Sequence, residues 1–225
     1  MTVRTLLRPI PGVRRISRLR RWRTFTGSAH YWERNYARGG TSGGGSCGAL
    51  AEAKAKFLNE FVREHRVGSV TEFGCGDGQQ LSLAKYRRYV GLDVSPAAID
   101  LCKLRFANDS AKSFFLYDGA HFVDRAGLFA ADLTLSLDVV YHLVEDHVFE
   151  MYMTHLFAAG QRYVIVYATN SNAGRTAPHV RHRQFTSWID VNCSEWHLLQ
   201  LERGPDTGVG RADFFVYERI ALETC

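Results

Sequence analysis

Residues 70–73, Val-Thr-Glu-Phe, run directly into Gly74-Cys75-Gly76-Asp77-Gly78, so an apolar, strand-like stretch ends in three glycines at alternate positions. Glycines are placed this way where the backbone must take positive φ or where another group comes close to it. What surrounds the loop restricts the fold further. Strands are expected over 67–74, 89–95, 113–118, 132–139 and 163–169, with helical patterns over 49–65, 79–86, 97–107 and 146–158. Ser95-Pro96 supplies an N-cap followed by proline at the first helical position. The run at 132–139 is apolar enough for a strand buried on both faces. Two further strands, 197–202 and 212–220, are joined by a Gly/Pro/Asp-rich segment and are expected to pair antiparallel. Alternating strands and helices then imply an α/β, doubly wound, Rossmann-like sheet of seven strands. It is mostly parallel and closes in a C-terminal antiparallel hairpin.

The chain of 225 residues is 46% hydrophobic and 23% charged, which suits one domain with a real core and an appended arm. The formal charge of +5 is unevenly distributed. Residues 1–24 hold eight arginines and no acidic residue, which leaves a slightly acidic body of formal charge −3. Within that stretch Val13, Ile16, Leu19 and Trp22 recur every three residues, the pattern of a loosely amphipathic basic helix. It is open to a membrane surface, an acidic glycan, a disordered tail or docking on the same domain. We divide the chain into a basic arm (1–28), an aromatic and glycine-rich lid with its helix (29–64), and the main domain (65–225). No apolar run is long enough to span a bilayer, and no secretory apolar region opens the sequence. Five cysteines, Cys47, Cys75, Cys102, Cys193 and Cys225, are scattered without CxxC spacing. They read as reduced thiols in a cytoplasmic protein, possessing neither a disulfide framework nor a zinc site.

In an open parallel sheet, ligands bind beyond the carboxyl ends of the strands, where Gly74–Gly78 lie. A P-loop requires GxxxxGK[ST], and no Lys-Ser/Thr pair follows. A dinucleotide fingerprint requires GxGxxG, but Gln79 occupies the third glycine position, so an NAD-linked oxidoreductase is disfavoured. The remaining reading is GxGxG, with the backbone lying flat against a ligand that brings no pyrophosphate.

Here the chain resembles the class I S-adenosylmethionine-dependent methyltransferases, over roughly residues 65–220. Glu72-Phe-Gly-Cys-Gly-Asp-Gly78 resembles their E/DxGxGxG loop, and Asp93 ends the second strand in Gly-Leu-Asp-Val-Ser. Asp118 follows the third strand, and 135–143, Leu-Ser-Leu-Asp-Val-Val-Tyr-His-Leu, follows the fourth. The resemblance implies cofactor contacts from Glu72, Gly74, Cys75, Gly76, Gly78, Asp93, Val94, Asp118, Gly119 and Leu137. Asp93 would take the ribose diol and Asp118 or its neighbours the adenine. S-adenosylhomocysteine would be the product. The segments at 31–62, 136–146 and 179–188 are similar to bacterial methyltransferases of glycan or natural-product assembly.

Methyl transfer is an in-line displacement that needs alignment and exclusion of water. A sugar or alcohol hydroxyl also benefits from a general base, whereas a phenolate, thiolate or neutral amine needs less help. His142, in the loop after strand four, is the candidate base, with Asp138 as its partner. His179 and His182 follow strand five on the same rim, beside Arg181 and Arg183, which could hold an anionic group. Tyr31, Trp32 and Tyr141 are candidate acceptor contacts, Tyr36 joins Tyr31 and Trp32 as aromatic surface for a sugar ring or adenine, and the glycine-rich segment 39–48 is a candidate lid. No cluster with metal-ligand spacing stands out, and no metal is expected. The Asn/Asp-Pro-Pro-Tyr stretch of amide and base N-methylating enzymes is absent, and no catalytic-cysteine motif points to carbon methylation of pyrimidines. The acidic body argues against duplex DNA. The expected activity is therefore O-methylation of a sugar hydroxyl or related small molecule. Alternatives are N-methylation of a small amine, or a non-catalytic adaptor that docks on a membrane or glycan through the arginine arm, peripheral at the inner membrane face.

Overall fold

The computed structural model describes residues 25–205 and 212–220. The basic stretch at 1–24 lies outside the described residues. The described chain opens with helix α1 (Ser28–Ala37), a 3-10 turn (Gly44–Ser46) and helix α2 (Gly48–Glu64). Then follow β1 (Val70–Phe73), β2 (Tyr89–Asp93), α3 (Pro96–Arg105), β3 (Lys112–Leu116) and β4 (Ala131–Leu137). The remainder is α4 (Asp146–Ala159), β5 (Gly160–Ala168), β6 (Gly174–Ala177), β7 (Val180–His182), α5 (Phe185–Asn192), β8 (Trp196–Glu202) and β9 (Asp213–Arg219).

Seven of the strands form one sheet in the order β3-β2-β1-β4-β5-β9-β8. The first five are parallel, and β9 runs antiparallel to both β5 and β8. The order reverses between β1 and β4, which puts the switch point beside the glycine loop. The sheet is covered on both faces, as a parallel sheet requires. Along β5, Val164 and Val166 face α4 and α5, while Tyr163, Ile165 and Tyr167 face α2. β4 keeps the same alternation, but with hydroxyls on one side. Leu133 and Leu135 pack towards α2, and the buried Thr134 and Ser136 point the other way. Thr134 donates to Leu156 O, and Tyr152 donates to Ser136 Oγ, so neither hydroxyl is left unpaired.

Helix α3 begins as expected: Ser95 Oγ accepts the Ala98 N–H at 3.1 Å, and Pro96 takes the first helical position. Three expectations need correction. The helix expected over 79–86 is only a 3-10 turn at Leu81–Leu83, because Ala84 leaves the helical region immediately after. The aromatic segment expected only as part of a lid is helix α1. Finally, the stretch carrying His179 to Arg183 lies in an extra β6–β7 hairpin with its own two-stranded sheet.

The α1 helix and the glycine-rich segment are firmly attached to the domain. Ser28 N and Oγ both donate to Glu145, at 2.9 and 2.5 Å, and Val144 N donates back to Ser28 Oγ. Glu33 accepts from Ser95 Oγ at the start of α3. Ser42 donates through Oγ to Asp77 at 2.9 Å, inside the glycine loop. A stretch that reads as a linker is therefore a strap across the carboxyl edge of the sheet. Among the described residues, no helix is long and apolar enough to cross a membrane.

Candidate functional site

β1 delivers Glu72 and the three glycines to the carboxyl edge of the sheet. All three glycines have positive φ, +82° at Gly74, +58° at Gly76 and +73° at Gly78. Their reasons differ. A β-carbon at Gly78 would stand 2.8 Å from the Phe106 ring and 3.0 Å from Cys102 Sγ, so this glycine lets α3 close against the loop. At Gly76 the same carbon would overlap Ser42 Oγ and stand 2.8 Å from Tyr36 Oη. Gly76 thus opens towards the strap and the cleft beneath it.

That cleft, with an empty volume of about 910 Å³ counted out to its mouth, is bounded by α1, α2, the glycine loop and the ends of β2 and β4. Gly74, Cys75, Gly76, Val94, Leu137 and Asp138 line it. Gly78 is absent from its wall, and so are Asp118 and Gly119. The Asp118 carboxylate is 61% exposed and accepts from Ala120 N and pairs with His121, which hold it below the usual carboxylate range. Its neighbour Tyr117, buried, lines the cleft where Asp118 does not.

Asp93 ends β2 and is 6% exposed. Its Oδ2 accepts Gly76 N and its Oδ1 accepts Ser95 N, each at 2.9 Å, which fixes its plane across the loop. Burial, opposed by those amides, pushes its carboxyl up to about 6. Glu72, buried one turn of chain before the loop, accepts from Tyr89 Oη at 2.6 Å. Burial pushes it up to about 7, although the Tyr89 bond and nearby Lys54 oppose the shift. The cleft is therefore built around two acids that are costly to ionise without a cation nearby.

Asp138, at the end of β4, does not bond His142. It sits at φ +60° and accepts Lys54 Nζ at 2.6 Å and Tyr141 Oη at 2.8 Å. Lys54 comes from α2, its side chain 2% exposed and its ammonium 5.2 Å from the Tyr167 ring. Removing one partner of such a pair strands the other charge. Lys54→Met should therefore lower stability by about 3 kcal/mol, read as an earlier denaturant midpoint at unchanged slope.

His142 lines the cleft, and its ring is held on three sides. Trp32 meets it edge-on at 4.8 Å between centroids, Tyr141 at 4.6 Å, and His179 lies parallel at 5.5 Å. Its Nδ1 is 2.9 Å from His179 O. A carbonyl can only accept, so Nδ1 carries the proton, and Nε2 is the ring nitrogen with a lone pair. Burial brings the imidazole down to about 4, so it is neutral at pH 7.

The hairpin residues are used structurally. His182 stands between Thr169 Oγ1 and Thr176 Oγ1, at 2.6 and 3.2 Å. Arg181 and Arg183 both pair with Asp146, and between them bond the carbonyls of Leu143 and Val144. These guanidiniums staple the hairpin to the start of α4 rather than facing the cleft. His179 contributes its carbonyl to His142 and stacks its ring on Tyr31 at 4.2 Å. Among the described residues, no three His, Cys, Asp or Glu side chains come together to hold a metal.

Three contributors were not anticipated. Lys54 had a signal in the sequence, since it falls in the buried stripe Ala51, Lys54, Ala55, Leu58 of α2. Gln80 lines the cleft with a buried Oε1 that has no partner, while its Nε2 donates to Ala51 O. Ser42 bonds the expected aromatic Tyr36 above Gly76, and nothing in its spacing points there.

Residues 71–155 match the family described as "Methyltransferase domain". The small RNA 2'-O-methyltransferase of Arabidopsis thaliana is 29% identical over 112 residues, which are 45% of this chain and 12% of that protein. The chain thus matches only a small part of its curated relative. Among solved structures, the N-methyltransferase NodS from Bradyrhizobium japonicum WM9, in complex with S-adenosyl-L-homocysteine, superposes with a TM-score of 0.68 at 16% identity. That alignment covers 87% of this chain and all of NodS. The methyltransferase domain of a bacterial Hen1 gives 0.61 at 19% identity, covering 76% and 98%. The magnesium protoporphyrin IX methyltransferase of Synechocystis PCC 6803 gives 0.60 at 15%, covering 92% and 99%. At these identities the likeness establishes the fold.

Proposed function

We infer that this chain, which carries a methyltransferase domain within the class I fold, is an S-adenosylmethionine-dependent methyltransferase that methylates a hydroxyl, with His142 as its general base. The cleft fits the cofactor on its own residues. It offers a glycine-floored cradle at Gly74 and Gly76, two buried acids with raised affinity for protons, and an orphaned Gln80 Oε1 that can accept from a bound polar group. Asp93 would hold the ribose hydroxyls, and Glu72 and the loop amides would meet the methionine end. When bound, the cofactor supplies a methyl group on a cationic sulfur, which departs with the C–S electron pair as the acceptor oxygen attacks.

The observation that carries the hydroxyl assignment is the His142 tautomer. Nδ1 is committed to His179 O, so Nε2 takes the proton of the acceptor hydroxyl. A neutral amine depends on such a base less than a hydroxyl does. The plant relative's 2'-O activity belongs to the same chemistry and supports the reading. Trp32 and Tyr36 of the α1 wall exclude water from the reacting oxygen.

Cofactor affinity tests the reading directly. Asp93 and Glu72 ionise only as pH rises through about 6 and about 7, and the ionised forms attract a sulfonium. Binding should therefore tighten between pH 5 and 7.5, with proton release on binding at pH 6.5. Calorimetry in buffers of different ionisation enthalpy measures that release. Absence of binding at any of these pH values overturns the assignment.

A further inference from the structure

Helix α1 is a partition between two cavities. Ala29, Trp32 and Tyr36 face the cofactor cleft, whereas His30, Arg34 and Arg38, spaced every four residues along one helical stripe, face a second groove. Counted out to its mouth like the cleft, this groove has an empty volume of about 1210 Å³. Its far wall is the β6–β7 turn, Ala177 to His179. Among the described residues none that lines it is acidic. Among the described residues the side chains of His30, Arg34 and Arg38 have no hydrogen-bond or ion-pair partner, unlike Arg181 and Arg183. Tyr31 and Phe25 supply ring surface, and Arg175 stands 5.0 Å over Phe25 at the rim.

The groove touches the reaction centre at one place. His179 lines it, stacks on Tyr31, lies parallel to His142 and accepts the His142 Nδ1 proton through its carbonyl. We propose that this groove binds the phosphate-bearing part of the methyl acceptor, a small nucleoside-diphosphate-type ligand. The two arginines would grip the diphosphate, and an aromatic ring would cover the base. This rests on the methyltransferase reading of the neighbouring cleft. Arginine suits the role because its planar fork pairs with phosphate oxygens bidentately. Uncommitted arginines converging on a groove whose described lining carries no carboxylate make it attractive to an anion. Two arginines one helical turn apart match the short span of a diphosphate.

The test uses the full chain and three probes, UDP, inorganic pyrophosphate and uridine, titrated calorimetrically with and without S-adenosylhomocysteine. UDP should bind in both states, with uridine at least tenfold weaker. The R34Q/R38Q double variant, whose changes lie on an exposed helix face, should weaken UDP and pyrophosphate binding at least tenfold, with S-adenosylhomocysteine affinity within twofold. Failure of the wild-type chain to bind UDP and pyrophosphate overturns the proposal, and so does equal binding by the double variant. A ten-nucleotide single-stranded RNA that outcompetes UDP and loses its advantage in R34Q/R38Q would reassign the groove to RNA and also overturn it. Loss of S-adenosylhomocysteine binding alone would remove the methyltransferase reading while leaving the groove result standing.

Discussion

Asp93→Ala is expected to weaken S-adenosylhomocysteine binding by at least about 100-fold, the equivalent of about 3 kcal/mol. Two effects combine. The variant loses the carboxylate that would accept both ribose hydroxyls, and charge-assisted bonds of this kind contribute about 1.5–3 kcal/mol each. It also releases Gly76 N and Ser95 N, which Asp93 holds at 2.9 Å, so the loop forfeits the crosslink that sets its shape. Asp93→Asn separates the two. Its single amide oxygen can retain one backbone contact while the charge is gone, so it should fall between wild type and Asp93→Ala. At pH 7.5 unliganded Asp93→Ala should melt below the wild type, because Gly76 N and Ser95 N lose their buried acceptor, with Asp93→Asn between the two. A buried acid whose proton affinity is raised contributes stability below the unfolded pKa and loses it as pH rises through about 6, so Asp93 contributes no charge-based stability at pH 7.5. Calorimetry showing full affinity in Asp93→Ala would remove Asp93 from the cofactor site.

Asp93 was legible because its evidence is local. A strand, a glycine turn and a carboxylate at the next strand end are separated by few residues, and Ser95-Pro96 announces the following helix. The sheet was legible for the same reason: each strand is an apolar run bounded by its own turn. What the sequence concealed are contacts between distant segments. Lys54 and Asp138 lie 84 positions apart, and Ser28 and Glu145 lie 117 apart. Neither pair leaves a periodicity, so the carboxylate of Asp138 read as a partner for the adjacent histidine. The β6–β7 hairpin was hidden because its strands span only four and three residues and carry polar side chains. Once it folds back, Arg181 and Arg183 are consumed by Asp146 and the carbonyls of Leu143 and Val144, and the basic face anticipated there is found on α1 instead. The glycine-rich segment misled in a different way. Its composition reads as slack chain, but Ser42 ties it to Asp77 within the loop that it covers.

His142→Ala is expected to lower kcat by 10²–10⁴ at saturating cofactor, the usual range for loss of a positioned general base, with S-adenosylhomocysteine affinity held within about threefold. The asymmetry follows from position. His142 lines the cleft from the segment after β4, beside Leu143 and Trp32, and is not part of the glycine loop or the β2 end that carries Asp93. A purely structural role is separated by His142→Asn. The asparagine amide can donate to His179 O much as Nδ1 does, so the variant preserves the anchor and removes the lone pair of Nε2. If His142 is the base, the Asn variant is as slow as Ala; if it only supports the hairpin, Asn recovers most of the rate. The pH profile adds a readout that packing cannot imitate. The imidazole is lowered to about 4, so its neutral, proton-accepting form prevails above that value. With cofactor saturating, kcat of the wild type should be level from about pH 5 to 8 and should fall below about pH 4.5. In both variants that acid limb should vanish. The same depression predicts an acid-side cost in folding, because unfolding releases a histidine that takes up a proton near pH 6.5. The His142 share of native stability should therefore fall as pH drops from about 6.5 to about 4, against the opposite gain from Asp93 and Glu72, and the melting temperature of His142→Asn relative to the wild type should rise across that range.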